Sequence, residues 1–208
     1  MNSTASYFRP SSWERIFPEK SRRVIPKEAD VFSAGDILET VFLVERGAVV
    51  EIRTDEFGAS HAVGLSGPGT LLGGRLTSSS FARHTTRATA LVESTLREIS
   101  RSDFLHALIQ DPELSDAFMK QLSQRLETAQ ALSATCESAT SCEHVLGVLH
   151  EVATIFDTNN DGKSTIGIDE ALLERMTGMP HGLLVATVEE LRSKDLVFLE
   201  KDTIRWKP

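Results

Sequence analysis

The hydrophobic pattern of the chain changes period twice. Residues 1–28 are polar and irregular, with Pro10, Pro18 and Pro26 and a basic run at Lys20-Ser-Arg-Arg23, and predict short turns that lead into the fold. From Asp30 to Ile99 short apolar runs alternate with turn signals. Val41–Val44 and Ala48–Ile52 flank Arg46-Gly47, and Asp55–Gly58 predicts a hairpin turn before His61–Leu65. Gly67-Pro-Gly69 and Gly73-Gly74 mark further turns, and Thr85–Ala90 and Ser94–Ile99 complete the series. Runs of this length and spacing predict a β sandwich or barrel.

After Ser100 the period becomes helical. Phe104–Leu108 predicts a short helix. Asp111-Pro112 opens a long one, with Asp as the cap and Pro at the first position, where its missing N–H costs nothing. Along this helix Met119, Leu122, Leu126, Ala129, Ser133, Cys136 and Thr140 recur three and four residues apart. That spacing makes a coiled-coil seam, strong at its start and weak beyond Ala129. A helix packed on its own domain would show part of this pattern. The preferred reading is a dimerisation helix, whose late small residues let two helices approach closely.

From Glu143 the texture is that of a compact helical domain. Val145, Leu146, Val148, Leu149, Val152 and Ile155 form one apolar stripe. Ile168–Gly178 predicts a short helix closed by glycine, and Met179–Leu191 a second one. Leu196–Leu199 and Thr203–Trp206, around Glu200-Lys-Asp202, predict a β hairpin. Two short amphipathic helices joined at a glycine and followed by a hairpin predict a winged helix-turn-helix. Asp157–Gly162 copies the start of a calcium loop, but the twelfth place falls on Ile168 where a bidentate Glu is needed. It is expected to be a polar turn joining two strands.

Composition narrows the function. The 208 residues suffice for two small domains, and the 40% hydrophobic and 25% charged content is ordinary for a globular protein. No apolar run reaches the roughly 18 residues of a membrane span, and no signal-peptide core follows Met1, so a cytoplasmic protein with no membrane partner is expected. Cys136 and Cys142, with five residues between them, match no common zinc spacing; they read as reduced thiols, with a redox switch between subunits as the alternative. The net charge of −8 argues against a generic polyanion binder. From Glu143 to Pro208 there are 7 Lys and Arg against 12 Asp and Glu, a local balance of −5. There is no P-loop, no paired His of metal-ligand spacing and no nucleophile elbow, so no catalytic residue and no metal site is expected; Gly64-Leu-Ser-Gly67 lies in a β turn without the strand–turn–helix context.

The order of parts resembles the Crp–Fnr family of bacterial transcription regulators. The residues that carry the resemblance are Ala34-Gly-Asp36, Val41-Phe-Leu-Val-Glu-Arg-Gly47, Gly67-Pro-Gly-Thr-Leu-Leu-Gly73 and Ile99-Ser-Arg-Ser-Asp-Phe104, in that order, followed by the long helix and the winged motif. The resemblance implies an α+β fold: an N-terminal β jelly-roll sensor of the cyclic-nucleotide-binding kind (residues 1–110), a dimerisation helix (111–142) and a C-terminal winged helix-turn-helix DNA-binding domain (143–208). It implies double-stranded DNA and a second copy of the chain as partners, with RNA polymerase as a further candidate.

Two departures from the family pattern matter. Nucleotide-binding members follow the cassette glycine with a Glu that holds the ribose; here Gly73 is followed by Gly74 and Arg75. Their phosphate-pairing Arg falls on His84, with Arg83 before it and Thr85 and Thr86 after it. A neutral imidazole does not replace a bidentate guanidinium on a phosphodiester. Gly73, Gly74, Arg75, Arg83, His84, Thr85 and Thr86 therefore read as a degenerate effector pocket not controlled by cyclic AMP, and no cofactor is expected. Haem is the disfavoured alternative, with six histidines as formal ligands.

The second departure lies in the recognition helix. The family opens it with a Ser cap and reads bases with Arg, Glu and a second Arg; here the run is Pro180-His-Gly-Leu-Leu-Val-Ala-Thr. His181 is the base-reading candidate of the first turn, and Gly182 brings backbone close to its target. Val185 and Ala186 offer only methyl contacts, and Thr187 is expected to reach a phosphate. Glu189 and Glu190 repel phosphates, with Arg192 and Lys194 to counter them, so few phosphate contacts are expected. The alternative is a protein that keeps this fold for interaction and binds DNA weakly or not at all.

Overall fold

The computed structural model describes residues 11–56, 58, 60–73, 82–138, 140–157, 168–200 and 203–206. Its contacts gather into two units, residues 1–51 with 65–125 and residues 126–208 with 52–64.

The described chain begins with α1 (Ser11–Glu14) and a 3-10 turn at Glu19–Ser21, then eight strands: β1 (Arg23–Ile25), β2 (Asp30–Phe32), β3 (Thr40–Arg46), β4 (Val49–Thr54), β5 (Ser60–Ser66), β6 (Leu71–Leu72), β7 (Arg87–Ala90) and β8 (Ser94–Ser100). They form two four-stranded sheets, ordered β1-β8-β3-β6 and β2-β7-β4-β5. The centre is β3, buried without a break from Val41 to Val44. Val41 and Leu43 enter a cluster with Trp13, Phe17, Leu71, Phe104, Leu114 and Phe118. Phe42 and Val44 enter another with Ile25, Phe32, Val49, Leu72, Ala88 and Leu96. Successive side chains of a strand point to opposite faces, so one strand serves two cores and reads as a continuous apolar run.

The N-terminal lead-in is more ordered than its polar texture suggests. Trp13 and Phe17, four residues apart, are both 1% exposed and sit 5.9 and 6.3 Å, centroid to centroid, from Phe104. Behind them the buried Arg97 guanidinium donates to Glu45 at 2.8 Å, and Arg22 binds the same carboxylate through Nε at 2.6 Å. The Arg22 hydrogen bond, reinforced by Arg97 against a desolvation cost, lowers the Glu45 pKa to about 2. At the β3–β4 turn Gly47 has φ +88°, and a Cβ there would overlap Ser94, whose Oγ accepts from the Ala48 N–H at 3.1 Å.

Helix α2 (Arg101–Gln110) is capped by Ser100, whose Oγ accepts from the Asp103 N–H at 3.0 Å, so it starts earlier than the apolar run alone indicates. Asp111 caps α3 (Pro112–Ser138) by accepting from the Glu113 N–H at 3.0 Å. The expected helix to residue 142 is interrupted. Thr140 and Glu143 form a reciprocal capping box, with Thr140 N–H donating to Glu143 at 2.8 Å and Glu143 N–H to Thr140 Oγ1 at 3.4 Å, and a new helix, α4 (Ser141–Asp157), begins there.

In the second unit α4 packs on α5 (Glu170–Thr177) and α6 (His181–Ser193). The apolar stripe of α4 supplies Val145, Val148, Leu149 and Val152, which meet a core holding Leu173, Leu184 and Leu191. The expected hairpin is β10 (Val197–Glu200) with β11 (Thr203–Trp206), but β11 also pairs with a short strand β9 (Ile168–Asp169), which makes a three-stranded sheet ordered β10-β11-β9. Ile168, expected to open a helix, lies instead in β9 (Ile168–Asp169), paired with Ile204. The calcium-loop look-alike therefore follows a helix, α4, rather than a strand; its residues beyond Asp157 lie outside the described ones. Among the described residues no helix is long and apolar enough to cross a membrane, and no group of three or more His, Cys, Asp or Glu could hold a metal ion.

Candidate functional site

The helix-turn-helix is built from local chemistry. Asp169 caps α5 by accepting from the Leu172 N–H at 2.6 Å. Gly178 ends the helix in the left-handed region, φ 65°, with its N–H donating to Glu174 O at 2.8 Å. The turn is held from α4, where His144 Nε2 lies 2.9 Å from Thr177 O. Pro180 then starts α6 without a side-chain cap; its carbonyl accepts from the Leu183 and Leu184 N–H groups at 2.9 and 3.0 Å.

Leu184, Thr187, Val188 and Leu191 are the buried face of α6. Thr187, expected to reach a phosphate, is 3% exposed and donates its hydroxyl to Leu183 O at 2.7 Å. Three residues after Leu184 and four before Leu191, it falls on the packed side, which corrects that expectation. His181, Gly182, Val185, Ala186, Arg192 and Lys194 are exposed and share α6 or its C-terminal end with Leu183, Glu189 and Glu190.

The basic side chains of this surface each face a carboxylate. His181 Nδ1 faces Glu174 Oε2 at 3.1 Å, Arg192 faces Glu189 at 3.4 Å, and Lys194 faces Glu190 at 2.6 Å. Glu190 is drawn below the usual carboxylate range, first by the Lys194 hydrogen bond and then by one from the Cys142 thiol at the start of α4. Burial and the contact with Glu190 push the Cys142 thiol up, away from the thiolate. Sequence reasoning missed this second role of the acidic residues. The i, i+3 and i, i+4 spacings of Glu189–Arg192 and Glu190–Lys194 were the signal that could have found it.

The residues expected to line an effector pocket come together only in part. Gly73 and His84 are neighbours: a Cβ on Gly73 would lie 3.4 Å from His84 Cε1 and 2.8 Å from Thr40 O. His84 is 7% exposed and stacks on Phe32, ring centroids 3.7 Å apart. Burial lowers its pKa, with Asp36 opposing the shift, so the ring favours its neutral form. Arg83 does not enter; its exposed guanidinium donates to Gly35 O at 2.6 Å. Thr86 is buried and Thr85 exposed. Gly74 and Arg75 lie outside the described residues. A buried imidazole stacked on an aromatic ring does not fit the phosphate of a cyclic nucleotide, which needs a charged donor.

On α3 the first three seam residues, Met119, Leu122 and Leu126, are 67%, 46% and 59% exposed. Ala129, Ser133 and Cys136 lie in the same helix, with side chains outside the described ones. Arg125, between Leu122 and Leu126 in sequence, binds Glu51 at 2.6 Å.

Comparison with known proteins agrees with this architecture. The family profile of the cyclic nucleotide-binding domain matches residues 22–111. The chain is similar in structure to the c-di-GMP-responsive global regulator CLP of Xanthomonas campestris, at 20% identity and a TM-score of 0.73, over 90% of this chain and 93% of that one. It is similar to FixK2 of Bradyrhizobium japonicum, at 17% identity and a TM-score of 0.72, over 90% and 92%. It is also similar to a Crp-family transcriptional regulator of Thermus thermophilus, at 13% identity and a TM-score of 0.73, over 88% and 91%. A comparison with curated protein sequences finds no match. The fold is therefore that of the Crp/Fnr transcriptional regulators, with a cyclic nucleotide-binding-type domain at its N-terminal side.

Proposed function

We propose that this chain, with the fold of the Crp/Fnr regulators, is a transcription regulator that binds palindromic promoter DNA as a homodimer and is not controlled by cyclic AMP. The observation that carries the reading is the helix-turn-helix itself: α6 follows the Gly178 turn and presents His181, Gly182, Val185 and Ala186 outward, beside a three-stranded wing. The exposed apolar face of Met119, Leu122 and Leu126 supports pairing of two long helices, since three such residues at seam spacing are the kind of surface a second helix covers. Residues 1–110 would form the sensor, α3 the dimer helix, and the chain from about 143 the DNA-binding domain. Two copies of α6 set roughly 34 Å apart would enter successive major grooves on one face of the duplex. The buried, neutral-favouring His84 supports independence from cyclic AMP.

A second reading is favoured by one observation. Each basic side chain of α6 already faces a carboxylate, so the surface suits a regulator that docks on a protein and not on a polyanion. Selection from a random DNA pool separates the two. The DNA reading expects an enriched palindrome, bound specifically with a negative slope of log affinity against log salt. A pool without enrichment at low salt overturns it.

A further inference from the structure

We infer that α6 reads its site through thymine methyl groups and base amino protons, and does not read guanine edges. The inference rests on the DNA-binding reading above.

Guanine is recognised in the major groove by a guanidinium or ammonium placed on O6 and N7. The first two turns of α6 present no such group. Arg192 and Lys194 stand at the C-terminal end of the helix, and each is held by a glutamate of its own helix, at 3.4 and 2.6 Å. In the first two turns the outward groups are His181, Gly182, Leu183, Val185 and Ala186. Val185 is 43% exposed, a branched pair of methyl groups facing out with Ala186 beside it. Gly182 has nothing within 4 Å of where a Cβ would stand, so the helix can close on the floor of a groove without a side chain between. The thymine 5-methyl is the one apolar feature of the major groove, and burying it is what such a surface can reward.

His181 adds the polar half of the code. Its Nδ1 faces the Glu174 carboxylate at 3.1 Å. In the neutral ring the proton must sit on Nδ1 to make that hydrogen bond, which leaves Nε2 as an acceptor. An acceptor takes an amino proton from adenine N6 or cytosine N4, whereas guanine N7 and O6 offer it no proton.

The test uses the palindrome enriched from the random pool and the intact protein. Each thymine is replaced in turn by uracil, which removes the methyl and leaves pairing unchanged. One or two positions per half-site should lose about fourfold in affinity, the effect of burying one methyl-sized group. At those positions 5-methylcytosine paired with guanine should bind better than unmethylated cytosine. Val185→Ala should bring one uracil effect close to zero. Replacing guanines by 7-deazaguanine should change nothing. Equal affinity for thymine and uracil sites, or loss of binding on 7-deazaguanine, overturns the inference while leaving DNA binding in place. A pool without any enriched sequence overturns both.

Discussion

Glu190 and Lys194 lie one turn apart at the exposed C-terminal end of α6 and meet at 2.6 Å, so the carboxylate holds the ammonium that a phosphate would use. Glu190→Gln should free Lys194. The expected outcome is tighter binding to the enriched palindrome at low salt and a slope of log affinity against log salt steeper by about 0.9, the change for one added phosphate contact. An unchanged slope would place Lys194 away from the DNA backbone.

Leu122→Glu together with Leu126→Glu puts two charges into the exposed seam of α3. Sedimentation should show a dimer for the parent protein and a monomer for the variant, with melting temperature nearly unchanged, because both positions are solvent-facing within one chain. A variant that stays dimeric would move the subunit interface elsewhere.

Buried His84 makes stability depend on pH with a definite sign. Its pKa is lowered in the folded state, so the unfolded chain takes up the proton first. The stabilisation from burying a neutral ring is complete above the ordinary value of 6.5 and is lost as pH falls from there through the lower folded pKa. Asp36 is the charged group acting on the ring, and it works against the shift. His84→Phe keeps the stack on Phe32 and should remove that component of the acid sensitivity, seen as a flatter profile of melting temperature between about pH 6.5 and 5. A profile as steep as the parent's would assign the pH dependence to other groups.

Glu45 titrates lower, and its sign also favours neutral pH. Its folded pKa of about 2 lies below the ordinary 4.5, so its stabilisation is full above 4.5 and lost as pH falls through about 2. Glu45→Ala leaves the buried Arg97 without its carboxylate and should cost about 3 kcal/mol in denaturant unfolding at pH 7. A loss below about 1 kcal/mol would show that Arg97 finds another partner.

Gly47→Ala sets a side chain against Ser94 at a backbone angle of +88°. Strain and overlap together should cost about 2–4 kcal/mol, read as a lower denaturation midpoint with an unchanged slope.

Much of this fold is legible in the sequence because its signals are local. Asp111-Pro112 caps α3, Gly178 closes α5, and the short apolar runs between turn signals become strands. What stayed hidden depends on partners distant in sequence. Trp13 and Phe17 sit in a polar segment, and residues far along the chain, among them Leu71, Phe104 and Phe118, make them core. Ile168 looks like the first apolar residue of a helix, yet pairing with Ile204 makes it a strand. Thr187 looks free to reach DNA until the buried face of α6, fixed by Leu184 and Leu191, claims it. The α3 break was local and still missed, since Thr140 and Glu143 form their box inside a stretch that otherwise keeps helical spacing. In the N-terminal roll, sequence named Gly73 and His84, which the fold brings side by side, but not the Phe32 ring that stacks on the imidazole.

The double duty of β3 has a mechanical consequence. A slip of the strand by one residue would send Val41 and Leu43 into the roll and Phe42 and Val44 toward the helices, spoiling both cores at once. The strand therefore cannot give way on one side alone. Leu114 and Phe118, near the start of α3, share a cluster with Val41 and Leu43, so the strand that gives Phe42 and Val44 to the roll core also forms the seat of the long helix.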